Sequence, residues 1–238
     1  VMQIIQKGNK HTNFSGRGGH IPIAIVDHIS GGTMSSMDSW FQSEGNTVSS
    51  AHFGVSKTGE IHQYVDITKM AWANGITVDS ISKATASIVK EKSPTNPNKY
   101  TVSIEHEGTD GTLTEAQFTA TVWLHKYISG EVKRLYGKPL VLDSKYVIGH
   151  FQVDPIRKPY CPGVKFPWER LYAALKNEEV KDLKVDKADT VVNGLKLPEG
   201  SVLIEGRTYV PLAAIGKAIG AQVSWDNETK TATIITKA

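Results

Sequence analysis

The sequence predicts an α/β fold, a mixed central β-sheet flanked by helices, followed by a small second α+β domain. Three observations predict it. Short β-rich runs alternate with helical patterns between residues 21 and 176. One long segment from Thr114 keeps Phe118, Val122, His125, Ile128, Val132 and Leu135 on a single helical face. Residues 178–189 are charged and lack a core-facing pattern, and after them the alternation of strands and turns starts afresh.

The elements follow in order. Ile21–His28 is a β-rich apolar run closed by Ser30-Gly31-Gly32, which puts His28 at a strand end. Thr33–Glu44 reads as a short helix, with Met34, Met37, Trp40 and Phe41 at helical spacing and Gly45 as its stop. Ser50–Val55 and Glu60–Val65 flank Lys57-Thr58-Gly59 as a hairpin. Ser93–Asn98, with two prolines, breaks the chain before the strand Tyr100–His106. Thr114-Glu115-Ala116-Gln117 has capping-box form at the start of the long helix, and Gly137 and Pro139 end it. A last helix of this body runs from Pro167 to Lys176.

These boundaries define a domain over 1–177, a linker over 178–189 and a second domain over 190–238. In the second domain Val191–Leu197 is a hairpin about Asn193-Gly194, and Ser201–Tyr209 is another. Leu212–Ile219 is a short helix closed by Gly220, and Val223–Ile235 gives two strands about Asp226-Asn227.

Composition narrows the classes. Of 238 residues 39% are hydrophobic and 21% charged, which supports one sizeable core and a smaller second one. No apolar run approaches the roughly 20 residues that cross a bilayer, so membrane insertion is not expected. Net charge is +3, too mild to argue for nucleic acid as a partner. The positive excess lies before residue 178, which suits a polyanionic surface. Cys161 is the one cysteine, so an intrachain disulfide is excluded and its thiol serves packing, nucleophilic attack or a metal.

The strongest local signal is the stretch Gly149-His150 through Cys161-Pro162-Gly163, in which an imidazole and a thiol are held across a proline-rich loop. Both donors suit zinc, and His28, delivered by a strand end far upstream, is the third candidate. Three protein ligands leave a fourth tetrahedral position for water, which is the catalytic type of site. Spacing alone leaves ordinary readings open, since a lone Cys packs as a small hydrophobe and a His is commonly a surface or hydrogen-bonded residue.

The segments Ile25-Val26-Asp27-His28, His52-Phe53-Gly54-Val55, Ala71-Trp72-Ala73-Asn74-Gly75, Ser103-Ile104-Glu105 and Gly149-His150 through Cys161-Pro162-Gly163 occur in this order. In that order the chain resembles the second family of N-acetylmuramoyl-L-alanine amidases, relatives of peptidoglycan recognition proteins, over about residues 20 to 176. The resemblance implies a zinc hydrolase that cuts bacterial peptidoglycan between N-acetylmuramic acid and L-alanine. It implies His28, His150 and Cys161 as zinc ligands, Glu105 as general base and Lys158 as the oxyanion-stabilising cation. It also implies His52, Trp72 and Asn74 as groove residues for substrate, although Trp72 and Asn74 also suit packing or capping. Two residues, Pro159 and Tyr160, separate Lys158 from Cys161 where the family commonly has one, which leaves Arg157 as the alternative cation. His125, on an apolar helical face, reads as a core histidine. A non-catalytic recognition domain is the alternative function, set against the retention of all three ligands.

The tail resembles the small module named from the N-terminal part of copper amine oxidases, in Val202–Leu212 and Val223–Asp226. It has no His or Cys, so a copper site there is not expected. Wall attachment or self-association through this module is the expectation. The start, Val1-Met2-Gln3-Ile4-Ile5-Gln6-Lys7-Gly8, does not read as a signal peptide. A protein acting at the bacterial wall is then expected to be released from a host cytoplasm, as a phage endolysin, or exported by a signal outside this chain, as an autolysin.

Overall fold

Side-chain alternation across six strands decides what faces the core and what faces the site. The computed structural model describes residues 2–176, 185–198, 200–204, 207–227, 229 and 231–236. The chain divides into Val1–Asn177 and Glu178–Ala238.

In chain order the first unit contains β1 (Ile4–Gln6), β2 (Ser15–Gly16), β3 (Ala24–Ile29), α1 (Met34–Phe41), β4 (Phe53–Val55), β5 (Ile61–Gln63) and β6 (Lys69–Met70). Next come α2 (Val78–Ile81), α3 (Ser87–Glu91), a 3-10 turn (Pro97–Lys99), β7 (Thr101–His106) and α4 (Glu115–Tyr136). β8 (Val147–Gly149), α5 (His150–Val153) and α6 (Trp168–Lys176) complete it. The main sheet has the order β1-β5-β4-β7-β3-β8. β4, β7, β3 and β8 run parallel, β5 is antiparallel to β4, and β1 is parallel to β5, so the sheet is mixed.

Ile25, Phe53, Val55, Val102 and Ile104 point to one face, where Ala120, Leu124, Ile128 and Val132 of α4 cover them. Val26 and Ile148 point to the other, against Ile76, Ile81, Ala84, Ile88, Val89 and Val153. Each large aliphatic side chain so buried contributes about 1.5–3 kcal/mol of transfer free energy. Phe118, Val147 and Phe166 meet Leu171 and Leu175 of α6, which closes the α4 side.

Thr114 caps α4 by accepting from Gln117 N–H, and Gly137 ends it at φ 83°. The capping box is only half realised: the Gln117 amide donates instead to the Val55 and Glu107 carbonyls, tying the helix start to β4. α1 stops at Phe41 rather than Glu44 because the Asn46 side chain takes the Trp40 carbonyl and turns the chain.

The second unit contains β9 (Val185–Ala188), β10 (Val191–Val192), β11 (Leu195–Lys196), β12 (Ser201–Ile204), β13 (Arg207–Tyr209), α7 (Leu212–Ala218), β14 (Gln222–Asp226) and β15 (Thr231–Ile235). Asn193 and Gly194 have φ 51° and 80°, the left-handed pair that a two-residue hairpin needs. The expected linker over 178–189 is corrected in part: Val185–Ala188 pairs antiparallel with Ser201–Ile204. The free edge of β12 supplies the hydrogen bonds that local composition hides. The linker's earlier part lies outside the described residues. No helix among the described residues is long and apolar enough to cross a membrane.

Candidate metal centre

His28 and Glu105 are direct register partners on β3 and β7. The pleat turns them to the face away from α4, as it does Val26 two residues earlier on β3. His150 opens α5 just after β8, whose Gly149 is in register with Asp27. Cys161 returns to the same place by its loop: Phe151 N–H donates to the Cys161 carbonyl at 2.8 Å. Its Sγ accepts from Ile29 N–H at 3.4 Å.

The ligand atoms of His28, His150 and Cys161 all lie within 4.8 Å of one another. His28 Nδ1 is 3.9 Å from Cys161 Sγ and 3.9 Å from Glu105 Oε1. Donors sharing one tetrahedral zinc would stand roughly 3.3–3.8 Å apart, from zinc–nitrogen and zinc–sulfur bond lengths, so small adjustments close the set. Burial and the neighbouring His150 hold His28 well below the ordinary histidine range. Burial, then Lys158, lowers His150 to about 4. Both imidazoles are therefore neutral and keep a lone pair for a cation. Burial and the Glu105 carboxylate push the Cys161 thiol up to about 12, an environment in which a thiolate needs a bound cation. Two nitrogens and a sulfur are a donor set that fits zinc. Burial raises Glu105 to about 7, with Lys158 opposing.

A groove of about 1110 Å³ opens on these residues, walled by Met37, Trp40, Trp72, Asn98, Arg157 and Lys158 among others. Trp72 lines it as expected, its indole N–H held by Ser15 Oγ at 2.9 Å. Trp40, not foreseen, lies on it with its indole N–H on Ser49 Oγ at 2.9 Å. Arg157 is tied to the Asp154 carboxylate and to the Gly75 carbonyl. The Lys158 charge instead bears on His28, Glu105, His150 and Cys161.

Two expected groove residues are corrected. His52 and Asn74 are each 1% exposed and do not wall the groove. His52 Nδ1 accepts from Ser103 N–H at 3.0 Å, and its Nε2 lies 3.1 Å from the Lys69 carbonyl. Burial first, then Arg17, lowers His52 to about 3. Arg17 itself is buried, donating to the Ile67, Asn98, Lys99 and Thr101 carbonyls. A lone arginine in a glycine-rich segment carries no local signal of that clamp. Asn74 is held by Thr101 and Asn98. His125 is a core histidine as expected, 3.2 Å from Asp27 on the α4 side.

A family model described as N-acetylmuramoyl-L-alanine amidase matches residues 18–164, and one described as copper amine oxidase N-terminal domain matches residues 164–234. A 1,6-anhydro-N-acetylmuramyl-L-alanine amidase AmpD of Enterobacter cloacae is 28% identical over 130 residues, 54% of this chain and 58% of the relative. That of Haemophilus influenzae is 27% identical over 128 residues, 53% of this chain and 59% of the relative. The match thus spans less than two thirds of either relative. Among solved structures, a selenomethionine AmpD derivative aligns with TM-score 0.55 at 22% identity, covering 74% of this chain and 96% of the other. A mutant endolysin from Bacillus subtilis aligns with TM-score 0.52 at 18% identity, covering 74% and 99%. These two show the same fold.

Proposed function

Because the chain belongs to the N-acetylmuramoyl-L-alanine amidase family, we propose that it hydrolyses the amide between N-acetylmuramic acid and L-alanine in bacterial peptidoglycan, with zinc as cofactor. The observation that carries this reading is the convergence of His28, His150 and Cys161 within 4.8 Å, at a groove that Glu105 also lines. When bound there, zinc would supply Lewis-acid activation of water and of the scissile carbonyl. Glu105 Oε1, beside His28 Nδ1, takes the proton of the attacking water and returns one to the leaving nitrogen. Lys158 stabilises the negative oxygen of the tetrahedral state. Arg157, engaged with Asp154 and Gly75, holds two groove walls together instead. Trp72 offers an apolar face to the substrate.

The role is lysis or remodelling of a bacterial wall, as a phage endolysin or an autolysin, without nucleic acid as a partner and without membrane insertion. The second unit serves wall attachment or self-association. Its support is the apolar surface it exposes, with Leu195 75%, Trp225 60% and Ile235 59% accessible.

The test is digestion of purified sacculi followed by mass analysis of the fragments. The expected result is stem peptides with new L-alanine amino termini, abolished by chelator and restored by zinc. Tight wall binding with no new amino termini would instead establish a recognition domain.

A further inference from the structure

The groove is walled on one flank by a tryptophan that the hydrolytic mechanism leaves unused. We propose that Trp40 is a sugar platform, a specificity-determining residue on which an uncharged pyranose ring of the glycan stacks while the stem peptide lies on the other flank of the metal centre. The proposal rests on the amidase reading above, because it apportions the two halves of that substrate.

Trp40 is the next-to-last residue of α1. Met34, Met37 and Phe41 of this helix pack with Ala51, Tyr64 and Val65 about β4 and β5. Gly54 of β4 is the register partner of Glu105, and a Cβ on it would lie 3.4 Å from Met34 Sδ. α1 therefore covers β4 on the face that carries Glu105. Crossing the sheet from there, Glu105 and His28 follow on β7 and β3, and β8 comes next. The chain beyond β8 supplies His150 and then Lys158 to the groove. Trp40 and Lys158 thus stand on opposite flanks of the metal centre.

Trp40 is 46% exposed and walls the groove. Its one hydrogen-bonding group is already engaged, since the indole N–H donates to Ser49 Oγ at 2.9 Å. Ser49 is fixed in turn: its carbonyl accepts from the Asn13 and Asn46 amides at 3.1 and 2.8 Å. The Asn46 amide also donates to the Trp40 carbonyl at 3.1 Å, so one buried side chain holds both the helix end and the loop that pins the ring. A ring held in this way has little freedom left to lose on binding. What it offers a ligand is its π-face, which is electron-rich and attracts polarised C–H groups. One turn earlier on the same side of α1, Ser36 also lines the groove. Its hydroxyl hydrogen goes to the Thr33 carbonyl at 2.7 Å, which leaves the oxygen to accept from a ligand hydroxyl. A flat apolar face with an acceptor at its rim matches a pyranose, whose ring carbons present C–H groups and whose edge carries hydroxyls. The other half of the substrate differs by charge. A stem peptide bears carboxylates, and Lys158 on the far flank complements them.

The experiment uses the full chain without zinc, so that binding is read apart from cleavage. The probes are the peptide-free disaccharide of N-acetylglucosamine and N-acetylmuramic acid and the free stem peptide, each titrated by ligand-observed NMR. Trp40→Ala is expected to bind the disaccharide roughly 5- to 30-fold more weakly and the peptide as wild type does. Trp40→Phe keeps a ring and is expected to retain most of the disaccharide affinity. Ser49→Ala frees the indole and is expected to weaken disaccharide binding in the same direction should Trp40→Ala not fold. In zinc-loaded protein acting on soluble muropeptides, Trp40→Ala is expected to raise KM by a similar factor and to leave kcat the less changed of the two. Wild-type disaccharide affinity in Trp40→Ala overturns the proposal, as does a loss that falls on the peptide instead. A wild-type chain that binds the disaccharide through Trp40 but releases no amino termini from sacculi upholds the platform and overturns the hydrolytic reading. Hydrolysis by wild type with KM unchanged in Trp40→Ala overturns the platform alone.

Discussion

Glu105 answers to two environments at once. It sits beside a neutral imidazole and a half-buried thiol, and burial raises its carboxyl from the ordinary 4.5 to about 7. In the zinc-free protein the folded state therefore holds a proton that the unfolded state releases, between about pH 4.5 and 7. Stability falls as pH rises across that window. Glu105→Gln removes the penalty. In urea melts of zinc-free protein the variant should match wild type near pH 4 and exceed it by up to about 3 kcal/mol at pH 8. A carboxylate only 17% exposed leaves little solvent screening to reduce that figure. In the zinc-loaded enzyme the same substitution should lower turnover on sacculi about 10²–10⁴-fold, with zinc content unchanged by metal analysis. The convergence of His28, His150 and Cys161 was legible at this scale from the order of the segments shared with the amidase family, beyond what one thiol and eight histidines say by themselves. His52 and Asn74 were misplaced because a segment shared with a groove does not say which of its side chains turns inward. Only the buried partners Arg17, Ser103 and Thr101 decide that.

At the scale of elements, the loop that brings Cys161 home depends on a backbone contact. Gly163 has φ +115°, and a Cβ there would lie 2.3 Å from the Asp110 carbonyl carbon and the Gly111 nitrogen. Gly163→Ala cannot be absorbed by a side-chain adjustment. It should destabilise the protein by more than about 1 kcal/mol and weaken zinc binding, read by chemical denaturation and chelator competition. β3, the β4–β5 hairpin, β7, α4 and α6 were legible because each carries a period or a cap. β1, β2, β6, α2, α3, α5 and β8 were not, since they are two to five residues long. Elements that short exist through their partners: β1 reads as a strand only once Ile61–Gln63 lies beside it. β9 escaped for the same reason, its alternation masked by charge.

At the scale of the molecule, the four hydrophobic core clusters among the described residues are all built from residues at or before Leu175. The second unit has few buried apolar residues among those described, Leu197 and Ala214. A chain ending at Asn177 should therefore keep its zinc and its cleavage of soluble muropeptides within about twofold, while its pull-down on sacculi falls. Equal retention on walls by the shortened and full chains would remove the attachment role of residues 178–238.

The pleat of β3 reaches beyond catalysis. Ile25 and Asp27 face α4 while Val26 and His28 face the opposite side, where His28 meets the groove, so one residue inserted between Val26 and Asp27 that shifted the strand end by one position would invert Asp27 and His28 together. The imidazole would land on the α4 side and a carboxylate beside His150 and Cys161, and no neighbouring side-chain adjustment could restore either. Added length is therefore expected to be tolerated in the connections between strands and not inside this one.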